Sequence, residues 1–158
     1  MLENVPVLSG LAEVARRLHN RYLVWRFPFL EPRTVDGGRI PGYEYDYTFI
    51  DSYPDGWRKV VIRYVKKIAK VLKDYGELEN FHIDDAKEKY GEARMYHSGI
   101  SSAECAKMVD DIIWSMESDT GHTCNRCGRP AKYVTNGYIL PFCKRCLGEH
   151  SIIEAREL

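Results

Sequence analysis

The sequence reads Cys-Asn-Arg-Cys at residues 124–127 and Cys-Lys-Arg-Cys at residues 143–146, with fifteen residues between the two pairs. Two Cys-x-x-Cys pairs at this spacing are typical of a zinc ribbon, because each tight turn presents two thiolates to the same side. Four thiolates complete a tetrahedral shell and leave no position for water or substrate. The pattern therefore predicts one structural zinc ion, held by Cys124, Cys127, Cys143 and Cys146.

The segment between the pairs must bring the second pair back to the first. Residues 132–140 can do so as a hairpin, with Asn136-Gly137 suited to a type I′ turn. His122, two residues before the first pair, is expected to support the site rather than to bind the metal. Residues 1–23 carry several charges and no long apolar run, so we expect no signal peptide. A reducing bacterial cytoplasm is then the expected location, which favours metal over disulfides.

Length and composition limit the class of protein. A chain of 158 residues with 44% apolar side chains can form one domain plus a small metal module, and it cannot be disordered throughout. No run approaches about 20 apolar residues, so no membrane span and no membrane partner are expected. We predict a body at residues 1–120, which includes a long aromatic and Pro-rich loop at 28–55. A ribbon and tail at 121–158 should pack on this body.

Apolar periodicity predicts an α+β fold with about three helices and a small antiparallel sheet. The first helix is predicted to be capped by Ser9 and to carry an apolar stripe. Asp55 is predicted to cap the second helix, which ends near Gly76. A capping box at Ser101 and Glu104 predicts a third helix that ends near residue 118 and buries Cys105 as an inert thiol.

Residues 81–96 are predicted to form two strands joined by a turn at Tyr90-Gly91. A helix from Asp84 is the alternative, since Ala86, Tyr90 and Ala93 also fit a helical period.

Charge is unevenly distributed although the net charge is zero. Residues 58–73 contain seven basic and no acidic residues, whereas residues 74–123 carry an excess of eight acids. The basic face of the second helix could bind phosphates or an acidic partner, or it could be neutralised by the protein's own acids. The candidate contact residues are Lys59, Arg63, Lys66, Lys67, Lys70, Lys87, Lys89, Arg94 and Tyr96.

Several motifs in a fixed order resemble a group of uncharacterised bacteriophage and prophage proteins. They are Gly56-Trp57 at the start of a helix, a Lys-Glu-Lys-Tyr-Gly segment at 87–91 followed by Arg94 and Tyr96, and the C-terminal four-cysteine ribbon. The resemblance covers roughly residues 28–146, although Ala93 stands where a larger apolar residue is more usual. It implies a viral origin and no particular chemistry. Small phage proteins that are not structural often bind host machinery, including defence systems.

Three functions follow, in order of preference. The first is a non-enzymatic protein that binds a host protein and could inhibit host defence. The second is binding of nucleic acid or a nucleotide through the basic helix at 58–73 and the ribbon, whose five cations have no acid between them. The third is a metal-dependent nuclease that uses Asp84, Asp85, Lys87 and Glu88.

Overall fold

The computed structural model describes residues 6–148 and 155–158. The chain forms two compact units, Met1–Phe49 and Ile50–Leu158, so the ribbon belongs to the larger unit. The division near residue 120 stays a prediction. Within the described ranges, no helix combines the length and apolar character needed to cross a bilayer.

The first unit is built around helix α1, Pro6–Arg26. Ser9 lies inside this helix, so the predicted N-cap is wrong. After α1 come a 3₁₀ turn at Pro28–Leu30 and an irregular segment that is closed by an isolated bridge between Arg33 and Arg39. The side-chain amide of Asn20, which is fully buried, donates to the carbonyl oxygen of Tyr45 at 3.0 Å and fastens this segment to the helix.

The second unit contains helix α2 (Arg58–Asp74), strands β1 (His82–Lys89) and β2 (Glu92–Ser98), and helix α3 (Ala103–Gly121). The strands form an antiparallel pair around Tyr90-Gly91, which confirms the two-stranded prediction and rules out a helix from Asp84. Helix α2 packs against α3, and α3 packs against β2. The core between them consists of fully buried apolar side chains, among them Val61, Val65, Ile68, Leu72, Ala93, Val109 and Met116.

The helix caps differ from the prediction. Asp55 begins a 3₁₀ turn, Asp55–Trp57, and α2 follows it with Trp57 in the N-cap position. For α3 the N-cap is Ser102, whose hydroxyl accepts from the backbone N–H of Cys105. Ser101 instead donates its backbone N–H and its hydroxyl to the buried carboxylate of Glu77. A tertiary partner has thus replaced the local capping box.

The ribbon contains strands β3 (Tyr133–Thr135) and β4 (Pro141–Phe142), the one-turn helix α4 (Lys144–Leu147) and strand β5 (Ala155–Glu157). The sheet order is β4-β3-β5, with both pairings antiparallel. The predicted type I′ turn is wrong, because only Gly137 of the Asn136-Gly137 pair has positive φ. The Thr135 hydroxyl instead donates to the carbonyl oxygen of Tyr138 and accepts from the N–H of Leu140, and these bonds hold a longer loop. The predicted α+β class is confirmed.

Candidate functional site

The four predicted cysteines converge on one point. Their Sγ atoms all lie within 4.8 Å of one another, and those of Cys127 and Cys143 are 3.6 Å apart. A tetrahedron with metal–sulfur bonds of about 2.3 Å has sulfur–sulfur edges of about 3.8 Å. The cluster therefore fits a single metal ion, and a set of four sulfur donors suits a soft or borderline metal.

Each cysteine pair is shaped by its own backbone. In the first pair, the N–H of Gly128 donates to the carbonyl oxygen of Cys124 at 3.0 Å, and Gly128 has a φ of +73°. In the second, Cys143 is the N-cap of α4, and its carbonyl oxygen accepts from the N–H of Cys146 at 3.0 Å. Both turns direct two thiols to the same side. Cys124 and Cys143 are buried, while Cys127 is exposed.

The surroundings of Cys124 favour ionisation of its thiol. Burial of Cys124 opposes its charged form, but backbone N–H groups of Cys143, Cys127 and Arg126 donate to it and lower its pKa to about 7. The pKa of Cys146 is raised to about 12, mainly by hydrogen bonding to Cys127 and secondly by burial. A divalent cation at the centre would stabilise all four thiolates together, and its binding would release protons.

Asn125 fastens the first cysteine pair to the strand that leads to the second. Its backbone N–H and its side-chain amide both donate to the carbonyl oxygen of Pro141, at 3.0 and 2.6 Å. This role of Asn125 was not predicted above, although an asparagine inside a Cys-x-x-Cys turn is a visible signal for such bonding.

The start of α2 is docked on the same turn. The N–H of Gly56 donates to the carbonyl oxygen of Asn125 at 2.9 Å, and the indole N–H of Trp57 donates to the carbonyl oxygen of Thr123 at 2.8 Å. Trp57 is completely buried. The Gly-Trp motif, singled out above only through a resemblance, joins the metal centre to the helical core.

Helix α2 presents its cations outward. Three of them are paired: Arg58 with Asp51 at 2.6 Å, Arg63 with Asp119 of α3 at 2.7 Å, and Lys70 with Asp74 at 2.6 Å. Lys67 lies over the Tyr64 ring. Three exposed lysines of this face form no ion pair among the described residues. They are the candidates Lys59 and Lys66, and Lys73. The protein's own acids therefore neutralise only part of this face.

The β1–β2 hairpin uses its cations internally. Arg94 pairs with Glu92 at 2.6 Å and also with Glu117 of α3. Lys87 pairs with Asp85 and lies over the Tyr96 ring. Lys89 lies over the neighbouring Tyr90 ring. Of these candidates, Arg94 has a clear structural role, because it connects the sheet to α3.

The carboxylates considered for a nuclease are not among the described groups that could hold a metal ion. Asp84, beside a register shift between Ile83 and Asp85, accepts a hydrogen bond from Ser98. Glu88 accepts from the N–H of Gly91 and from the hydroxyl of Tyr138. Among residues 6–148 and 155–158, the cysteine cluster is the one group arranged to hold a metal ion.

Two further residues discussed above, His122 and Cys105, lie outside the cysteine cluster. The His122 ring hydrogen-bonds through Nδ1 to the carbonyl oxygen of Ser118 and lies outside the cysteine cluster. Cys105 is fully buried, and burial raises the pKa of its thiol.

Comparison of the sequence with protein-family models and curated proteins, and of the fold with solved structures, found no match.

Proposed function

We propose that this chain is a non-enzymatic, zinc-stabilised protein of bacteriophage type. It binds an acidic surface of a host protein, and a host defence protein is a suitable target. The metal centre has a structural role in this proposal. Four thiolates fill the coordination shell of zinc, so the ion holds the ribbon together and offers no position for catalysis.

The observation that carries the proposal is the row formed by Lys59, Lys66 and Lys73 on α2. Seven-residue spacing keeps the three side chains on nearly one line, which extends over about 21 Å of helix. None of the three has an acidic partner among the described residues. Exposed charges about 10 Å apart repel one another only weakly, so the row costs the free protein little and gains energy from an acidic partner.

The helix that carries this row is rigidly held. Its inner face is fully buried, and the 3₁₀ turn that leads into it is hydrogen-bonded to the metal-binding turn through Gly56. Asp119 accepts from both Arg63 and Tyr64. The backbone that carries the row therefore needs no ordering when a partner binds, and only the lysine side chains lose freedom.

The test is capture of partners from a bacterial host lysate with the metal-loaded, tagged chain, with and without nuclease treatment. The variant Lys59→Glu/Lys66→Glu/Lys73→Glu reverses the row. The control Arg129→Glu/Lys132→Glu/Lys144→Glu makes the same change in net charge on exposed ribbon residues. Circular dichroism and metal content verify that both variants fold.

We expect a protein that survives nuclease, is retained by the control and is lost with the α2 variant. Its binding should weaken as salt is raised, because exposed charges are screened. Equal capture by wild type and the α2 variant would reject the proposal.

A second candidate function, binding of nucleic acid or a nucleotide, has its own supporting observation. Residues 124–148 contain five exposed cations and no acid, and Lys59 lies within one helical turn of Gly56, which contacts this segment. The same experiment separates the two functions. Recovery of only nucleic acid or nucleotide, lost with both triple variants, would favour the second.

A further inference from the structure

Helix α1 exposes a continuous row of large apolar side chains. Leu11, Val14, Leu18, Tyr22 and Trp25 are 63%, 55%, 63%, 55% and 74% exposed, respectively. The opposite side of the helix contains the buried residues Asn20, Leu23 and Val24. Single exposed apolar residues are ordinary, but a contiguous row marks a surface that another molecule covers.

The spacing within the row is symmetric. Successive members are separated by three, four, four and three residues, so the pattern reads the same in both directions from Leu18. Two copies crossing antiparallel at Leu18 would match Leu11 with Trp25, Val14 with Tyr22, and Leu18 with itself. The spacing of three and four residues also keeps the row on one face of the helix.

The sizes of the side chains fit the same arrangement. On the helix surface the small residues Gly10 and Ala15 flank the N-terminal half of the row, whereas the C-terminal half carries the two large rings. In an antiparallel pair the rings of one copy lie against the small end of the other. A parallel pair would place Trp25 against Trp25, which crowds the two large rings.

The area is sufficient for a dimer. From the exposed fractions and the size of such side chains, the row offers about 600 Å² on each copy. A symmetric pair would bury at most about 1,200 Å², which reaches the lower limit for specific interfaces.

We propose that this row, from Leu11 to Trp25, is the interface of an antiparallel homodimer formed by two copies of α1. The inference does not depend on the proposed function, since it concerns a different surface and a different unit of the chain.

The first test measures the mass of the metal-loaded full chain by sedimentation over a range of concentrations. We expect a concentration-dependent dimer. Leu18→Glu should raise its dissociation constant at least about tenfold, because the carboxylate would be buried without a partner. Trp114→Glu is the matched control, since Trp114 is 75% exposed on α3, and it should leave the dimer intact. Circular dichroism verifies that both variants fold.

The second test measures orientation. Leu11→Cys and Trp25→Cys chains are mixed and mildly oxidised, with the wild-type chain as a control for the native cysteines. The mixture should form far more cross-linked dimer than either variant alone. Preferential cross-linking of Leu11→Cys with itself would show a parallel pair and reject the arrangement.

Three other results would overturn the inference. A monomer at about 100 µM would do so, because an interface of this size should associate at that concentration. A dimer that Leu18→Glu leaves unchanged would place the interface elsewhere. Binding of the monomer to vesicles of anionic lipid, abolished by Leu18→Glu, would identify a membrane surface as the occupant.

Discussion

The backbone of Gly56 lies against the backbone of Asn125, inside the first Cys-x-x-Cys turn. The Gly56 N–H donates to the Asn125 carbonyl oxygen at 2.9 Å, and a Cβ at Gly56 would lie only 2.6 Å from the same oxygen. Gly56 does not have positive φ, so the backbone conformation does not require glycine. Glycine is required because the two backbones approach so closely. The 3₁₀ turn that leads into α2 and the metal-binding turn therefore form one structural unit.

Gly56→Ala should separate these two turns. We expect the free energy of unfolding of the metal-loaded protein to fall by about 3 kcal/mol, because backbone atoms cannot move aside as a flexible side chain can. Urea unfolding measures this free energy. Both proteins carry Trp25→Phe and Trp114→Phe, so that fluorescence reports Trp57 alone. Gly10→Ala is the control, because a Cβ there meets nothing within 4 Å and alanine favours the helix. Equal stability of the Gly56→Ala variant and its parent would contradict the prediction.

The cysteine cluster should bind one metal ion per chain, and we expect zinc. Elemental analysis of the purified protein gives the identity and the stoichiometry. Cys143→Ser should lose the metal and destabilise the second unit, whereas Cys105→Ala should retain it, since Cys105 lies outside the cluster. A chelator should make four thiols react with a thiol reagent at least about tenfold faster. Unchanged metal content in Cys143→Ser would show that the metal is bound elsewhere.

Glu77 should make stability depend on pH in the acid range. Hydrogen bonds from Asn80, Ser101 and Ser102 lower its pKa from 4.5 to about 2. A depressed pKa stabilises the fold above pH about 4.5, and this contribution is lost as the pH falls towards 2. The measurement compares the unfolding midpoint of the wild type with that of Glu77→Gln at each pH. The difference is used because any loss of metal on acidification affects both proteins. This difference should be constant above pH about 4.5 and should shrink below it. A difference that does not vary with pH would reject this role for Glu77.

Arg94 should contribute to stability and not to partner binding. Arg94→Gln removes its pairs with Glu92 and Glu117, and the Glu117 side chain is only 13% exposed. Burial is the main cause that raises the pKa of Glu117, and Arg94 opposes it, so the variant should raise that pKa further. We expect a loss of about 1–3 kcal/mol in urea unfolding. Lys89→Gln, at an exposed residue that forms no ion pair among those described, is the control and should change stability little. Loss of partner capture in a fully folded Arg94→Gln chain would show instead that Arg94 contacts the partner.

The sequence determined the local features whose signals are short. The spacing of the four cysteines predicted their convergence, and apolar periodicity predicted α2, α3 and the β1–β2 pair, because each depends on residues close together in the chain. The predicted cap of α3 is wrong because a distant group replaced a local one. Ser101 follows the capping-box pattern, yet its hydroxyl binds Glu77, so Ser102 became the cap.

The tertiary structure alone decided which charges and apolar residues are available to a partner. Periodicity identified the apolar stripe of α1 but not that it is exposed, since burial depends on what the rest of the chain covers. Composition likewise showed seven cations at residues 58–73, but only the packing of α3 brings Asp119 to Arg63. Lys59 and Lys66 have no such neighbour among the described residues, because charge pairing depends on distance in space and not on distance along the sequence.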